Sequence, residues 1–411
     1  MKALVLCGGI PQIALIKELK SRGIKTLLAD MNEKVVARKY ADEFYPISVL
    51  DVDAVKNLAK TKKVDFLITV CADQVLQVVA EVSEELGLPC YIDFKTAENV
   101  SKKSFMKTVF AENGVPTSRF VLMDEFKEEK IKDLSFPIIV KPIDAYSSRG
   151  VKKVSNLEEL KRAFQNAKKI SRTGGVIVEE FVEGDEITVD VYVEEGEAHI
   201  LCLSNLYKIG EEGKFVINRS RIPAILSEEK KEQIRKAAQK IADAFGIKNS
   251  PMLIQLISNK DKISVVEFCA RTGGGIKFLM IKKVSGFDVV KAVVDLTLGI
   301  KPHYEKREIP ETFTINEFVY CNAGVFDHLE GFEELLNEGI ITEYSQFKAE
   351  GTEFKTINGS GDRVAYFSIE AKTLEEILER HKIANERIRA ISKDNKDLIR
   401  HDLIAKYHIE E

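Results

Sequence analysis

Lys141 closes an apolar run, FPIIVKP (136–142), and a short polar loop, DAYSSRGV (144–151), follows it. An ammonium at the end of a buried strand needs a counter-charge. A nucleotide phosphate would supply one, with the loop amides and the hydroxyls of Ser147 and Ser148 as further donors. The alternative is a lysine solvated at the strand end. VIVEEFVEGDEITVD (176–190) carries Glu179 and Glu180, then Gly184 and Glu186. Backbone groups of such a linker can read the edge of a base, and a following carboxylate takes ribose hydroxyls by charge-assisted hydrogen bonds. A solvated acidic face has the same composition. VVEFCARTGGG (265–275) puts Glu267 and Arg271 at the mouth of an apolar strand, with Gln255 in MLIQLIS on the strand before. Magnesium takes one or two protein carboxylates and fills its shell with substrate phosphates and water. Arg271 suits a carboxylate or a developing acyl phosphate held two-pronged. The plainer reading is a Glu267–Arg271 ion pair.

Other chemistry is weakly signalled. CGGIPQ (7–12) follows a strand and opens a helix, and Asp30 ends the next strand, as in a dinucleotide site. The third glycine of that fingerprint is missing, so a tight strand-to-helix turn serves equally. Arg219 and Arg221, in VINRSRIPA, face a substrate carboxylate or are solvated. The six cysteines (Cys7, Cys71, Cys90, Cys202, Cys269 and Cys321) have no CxxC spacing, and the six histidines are scattered. Such a set reads as small buried apolar residues in a reducing compartment rather than a zinc or redox centre.

The elements that position these residues follow from periodicity. Residues 3–7, 25–30 and 64–70 read as strands, 12–22 and 74–86 as helices, giving a doubly wound parallel sheet over 1–95. Residues 96–310 open with a helix over 96–112, closed by Asn113-Gly114. A strand at 136–142 follows, then a helix over 154–170 with Ser155 as N-cap and Glu158 completing a capping box. Two or more strands come next, then a long helix from Ser227 to Gly246, then two apolar strands around the turn NKDK. Residues 311–411 hold TFTINEFVY, GTEFKTINGSGDR and VAYFSIEA, then a helix over 373–390 capped at Thr373, a smaller α+β domain. The fold class expected is α/β and α+β multidomain.

Composition sets the outer bounds. With 411 residues, 45% apolar and 31% charged, the chain is long enough for two or three domains without disulfides. Its 61 basic and 65 acidic side chains argue against an obligate nucleic-acid binder. No apolar run is long enough to span a bilayer, and MKALVLCGG reads as a first strand rather than a leader, so a cytoplasmic protein is expected.

The order of the pieces carries more than any one of them. Lysines before Gly114-Val115-Pro116, then VKP with its small loop, EEFVEGDE, a long helix, and Q…E…R-TGGG resemble the ATP-grasp superfamily. The likeness extends over essentially the whole chain, with a preceding βαβ (pre-ATP-grasp) domain and a trailing small α+β domain. The E-x-x-x-R-x-G-G-G ending and GDRVAYFSIEAKTLEEI resemble the carboxylate–amine ligases, in particular the L-amino-acid ligase and carnosine-synthase-like branch. The resemblance implies an ADP-forming ligase acting on small-molecule carboxylate and amine substrates, with ATP and Mg2+ (or Mn2+) as cofactors. It implies Lys103 (or Lys102, one residue earlier) and Lys141 on the phosphates, and the loop Asp144–Gly150 as a lid. Glu179, Glu180, Phe181 and Val182 become the adenine hinge and Glu186 the ribose carboxylate. Gln255 and Glu267 become metal ligands, and Arg271 steadies the acyl phosphate or substrate carboxylate. Superfamily members commonly form homodimers, although no interface is visible in this sequence. Two positions depart from the family. Cys269 stands where Asn is frequent, and Gln255 where many members have Glu. These departures keep open a nucleotide-binding pseudoenzyme, beside a bicarbonate-dependent carboxylating enzyme of the purine-biosynthesis type and a nicotinamide oxidoreductase.

Overall fold

The computed structural model describes residues 1–145, 150–209, 216–307 and 312–405. It divides into two compact units: Met1–Thr117, Thr188–Leu203 and Leu226–Ile309 in the first, and Ser118–Ile187, Ser204–Ile225 and Pro310–Glu411 in the second. Asp185–Glu194 and Glu197–Lys208 are strands whose residues fall partly in each.

In the first unit, the apolar runs Lys2–Leu6, Lys25–Ala29 and Phe66–Ile68 form parallel strands with Glu43–Tyr45 at one edge. Leu4, Leu6, Leu27 and Leu67 pack with Val55 of helix Val52–Lys62 and with Val75, Val78, Val79 and Val82 of helix Asp73–Leu86. The parallel sheet expected at the N-terminus is therefore present, with the 43–45 strand and the 52–62 helix added. The two apolar strands around the NKDK turn are Ser250–Ser258 and Ile263–Cys269, paired antiparallel. Ser227 caps helix Glu228–Ala244 by accepting from the Lys230 amide.

The helix expected over 96–112 is two helices, Phe94–Ser101 and Lys103–Glu112, separated by Lys102 in extended conformation. One continuous helix would lay Lys103 between Val100 and Met106 on the apolar stripe. The break removes Lys103 from that stripe and places it at a helix start.

In the second unit, Phe120–Met123, Val176–Glu180, Ile138–Pro142 and Lys152–Val154 form an antiparallel sheet in that order. Helix Leu157–Ile170 covers one face, packing Leu160, Phe164 and Ala167 on Ile138, Val140, Val176 and Val178. Its N-cap is Asn156, not Ser155. Asn156 Oδ1 accepts from the Glu159 amide, and Glu159 reaches back to the Ser155 amide, so the capping pair sits one residue later than expected. A second antiparallel array runs Ile217–Ile222, Phe313–Tyr320, Arg363–Ala371, Glu343–Gln346. Thr373 caps helix Leu374–Arg387, as expected.

Candidate functional site

Side chains alternate across a strand. Val140 and Val178 face the helix-covered core, so Lys141 and Glu179 lie on the opposite face of the same sheet. Lys141 pairs with Ile177 and Ile139 with Glu179, which makes Lys141 and Glu179 diagonal neighbours. Both are about as buried as core residues (6% exposed each), and their ammonium and carboxylate are in contact. Ser118 Oγ donates to the other Glu179 oxygen at 2.9 Å. Neither residue is solvated.

Glu180 points elsewhere. Arg119 grips its carboxylate through Nε at 3.0 Å and Nη2 at 2.6 Å, and the Ser135 amide adds a third bond. Burial raises the Glu180 carboxyl, but Arg119 and Ser135 outweigh it and hold the group below its ordinary value. The Phe181 amide donates to the Pro137 carbonyl, and Lys153 Nζ lies 3.8 Å from the Phe181 ring centroid. Val182 follows the strand end. Glu186 pairs with Lys208 at 2.6 Å. The loop after Lys141 has two fixed posts. Asp144 Oδ2 accepts from the Arg172 and Thr173 amides, and Gly150 sits at φ +78°, where a Cβ would lie 2.9 Å from Ile170 and Pro142. Ser147 and Ser148 lie outside the described residues.

In the first unit, Gln255 and Glu267 are direct cross-strand partners, beside an irregularity in pairing at Gln255–Leu256. Lys103 Nζ stands 2.8 Å from Glu267 Oε2. The plainer reading of the sequence pairs Glu267 with Arg271. Arg271 instead binds Asp73, Nε to Oδ1 at 2.6 Å and Nη2 to Oδ2 at 2.5 Å, while Nη1 donates to the Thr272 carbonyl. Burial pushes the Asp73 carboxyl up, but Arg271 overrides that and holds it below its ordinary range. The segment around Arg271 is held on both sides, since Tyr91 Oη donates to the Ala270 carbonyl and Cys71 Sγ lies 2.9 Å from Thr272 Oγ1. Asp190, almost wholly buried, has Lys277 at 3.3 Å. Burial raises its carboxyl, and Lys277 only partly offsets that.

Sequence reading missed Asp73, Asp190 and Lys277. The one available signal was Asp73 at the first turn after an apolar strand, and that position serves ordinary helix capping as well.

Arg219 is neither solvated nor open to a ligand's carboxylate. It is buried, with Nε on Glu317 at 2.5 Å and Nη2 on the Ile404 carbonyl, and His381 Nε2 joins the same Glu317 oxygen at 3.0 Å. Arg221 is buried over the Phe313 ring. In the Gly-rich turn, the Gly8 amide donates to Asp30 Oδ2 and the Gly9 amide to Gln12 Oε1, so Asp30 braces the turn itself.

Residues 134–279 match the family model described as an ATP-grasp domain. The chain carries an ATP-grasp domain. Among solved structures it is similar to an L-amino acid ligase from Bacillus licheniformis (TM-score 0.78, 22% identity, 95% of this chain and 98% of that one). It is also similar to a phosphoribosylglycinamide synthetase from Anaerococcus prevotii (TM-score 0.77, 20% identity, 95% and 99%). These likenesses show that the chain shares the fold of those two proteins. Among curated proteins, a formate-dependent phosphoribosylglycinamide formyltransferase of Mannheimia succiniciproducens is 27% identical over 254 residues, 60% of this chain. The matched stretch spans 63% of that relative's length.

The ATP-grasp match contains Lys141, Glu179, Glu180, Phe181, Val182, Glu186, Gln255, Glu267 and Arg271, while Lys103 and Asp73 precede it. The donor set fits a magnesium ion: one carboxylate and one neutral amide oxygen side by side, with a lysine ammonium already standing at the carboxylate as a cation would. Cys269 does not extend that set. Burial pushes its thiol far above the ordinary value, against the pull of Arg271, and a neutral thiol is a poor ligand for a hard cation. Among the described residues no three of His, Cys, Asp and Glu gather as a metal cluster, and no helix is long and apolar enough to cross a membrane.

Proposed function

We propose that this chain is an ATP-dependent, ADP-forming carboxylate–amine ligase working through an acyl phosphate on small-molecule substrates. A substrate carboxylate oxygen attacks the γ-phosphorus of ATP, and the bond to the β-phosphate oxygen breaks to release ADP. The amine nitrogen then adds to the acyl carbon, phosphate leaves, and the nitrogen loses a proton. No enzyme nucleophile enters either step. The protein's part is to position and neutralise charge.

Lys141 and Lys103 bind phosphates in this reading, with Ser147 and Ser148 as further donors. Glu179 to Val182 form the adenine hinge, and Glu186 takes the ribose. Glu267 and Gln255 would hold magnesium, which neutralises phosphate charge when bound. Arg271, already oriented by Asp73, steadies the acyl phosphate. The domain division 1–95, 96–310 and 311–411 belongs to the same proposal. The observation that carries it is the buried Lys141–Glu179 pair inside the ATP-grasp match. A buried lysine–carboxylate pair adds little to stability, which favours a ligand-binding use for the lysine on this face.

A one-carbon acid is the second reading for the carboxylate, because the curated relative is named as formate-dependent. One assay separates the cases: phosphate release from ATP with Mg2+, in parallel wells of L-amino acids, formate plus amines, and bicarbonate plus amines. Release confined to one acid class identifies the carboxylate. ATP bound tightly with no release in any well would sink the ligase reading in favour of a pseudoenzyme.

A further inference from the structure

We infer that Lys103 and Glu267 form a charge-exchange pair, in which the lysine ammonium holds the metal's carboxylate until a metal–nucleotide complex displaces it. The inference rests on the ligand roles proposed above and adds an order of events. Lys103 Nζ stands 2.8 Å from Glu267 Oε2, the distance of a full ion pair. Both side chains are only partly exposed, so solvent screens the pair incompletely.

The third member of the set decides the consequence. Gln255, directly across from Glu267, is neutral. Lys103, Gln255 and Glu267 therefore sum to zero charge, whereas a second carboxylate at 255 would leave the set negative and attractive to a free divalent cation. A bare cation thus meets a neutral site where Glu267 is taken by Lys103 and the nearby Asp73 by Arg271. A metal arriving on a nucleotide brings phosphate oxygens as its own ligands and gives the displaced ammonium a phosphate to bind. Metal entry and lysine release then cost little, because each charge changes partner rather than losing one. The site is built to take metal and nucleotide together and to refuse the metal alone.

The test uses the full chain and two probes. The first is Mn2+ alone, with the free ion counted by electron paramagnetic resonance. The wild type is expected to bind it weakly. Lys103→Met and, separately, Gln255→Glu should each bind it at least about tenfold more tightly, the size of one charge-assisted contact. The second probe is ADP, by calorimetry, with and without Mg2+. Glu267→Gln should bind metal-free ADP about tenfold more tightly than the wild type, since Lys103 is released to the phosphates, and should lose the Mg2+ enhancement. Unchanged Mn2+ affinity in both gain-of-binding variants, with wild-type circular dichroism, overturns the inference. So does wild-type protein that binds Mn2+ alone as tightly as those variants. Failure of ADP to bind the wild type under any condition sinks the ligase reading instead, and the Mn2+ arm still decides the pair.

Discussion

Asp73 and Arg271 lie 198 positions apart and meet as a two-pronged ion pair, Nε on Oδ1 and Nη2 on Oδ2. The pair takes the side edge of the guanidinium, and the Thr272 carbonyl takes a bond from Nη1. Those three bonds use three of the five N–H groups of an arginine and leave one on each terminal nitrogen. Arg271 is thus oriented before any substrate arrives.

Asp73→Asn is expected to cost roughly 1–3 kcal/mol of stability, less than a fully buried pair because both side chains are partly exposed. The pH dependence has a definite sign. The folded Asp73 carboxyl lies below its ordinary value of 3.8, so its contribution is fully present above that value and fades as pH falls through the folded one. Urea unfolding of wild type and variant should differ by a constant amount from pH 5 to 7 and converge below pH 4. A gap that persists unchanged to pH 2 would show that the ion pair is not its source.

Lys141→Met removes one half of a buried pair and leaves Glu179 with Ser118. Nucleotide affinity should fall by about tenfold or more, with a stability loss of roughly 3–5 kcal/mol from the stranded carboxylate. Pairing it with Glu179→Gln should recover part of the stability and none of the affinity. Calorimetry with ADP and thermal unfolding separate the two effects.

Gly273 and Gly274 are adjacent and differ sharply. A Cβ on Gly273 would fall 2.8 Å from Lys277 Cγ and 2.9 Å from Asp190 Oδ1, whereas one on Gly274 meets nothing within 4 Å. Gly273→Ala should destabilise by about 1–3 kcal/mol through overpacking, and Gly274→Ala by much less. Equal effects in thermal unfolding would remove the steric account of Gly273.

Burial pushes the Cys7 and Cys321 thiols up to about 12 and Cys71 to about 11, and drives Cys269 well above its ordinary value. The thiolate is the reactive form. These four should react slowly with a disulfide reagent in native protein at pH 8 and quickly in denaturant. Labelling of native protein followed by peptide mapping checks each position, and rapid native labelling of Cys269 would contradict its protonated state.

Much of the frame was legible because it rests on local signals. Apolar runs ended by Gly or polar turns marked the parallel strands, and Ser227 and Thr373 announced their helices by cap chemistry that acts within three residues. The strand that presents Lys141 and the strand that presents Glu267 could both be read as apolar runs, and the motif order pointed to the superfamily. Even so, the cap at Asn156 and the break at Lys102 escaped, because two neighbouring residues compete for one cap and because periodicity cannot see a one-residue interruption.

Partner choice was decided only by tertiary structure. Nothing near Glu267 in the chain says that its cation is Lys103 rather than Arg271, nor that Arg271 spends its fork on Asp73. Arg219 in VINRSRIPA reads as facing a substrate carboxylate or as solvated, and it is buried on Glu317 and His381. A charge finds its partner through space, at distances set by how distant segments pack. Sequence specifies which residues carry charge and which strand face they occupy; folding alone determines which opposite charge lies within 3 Å.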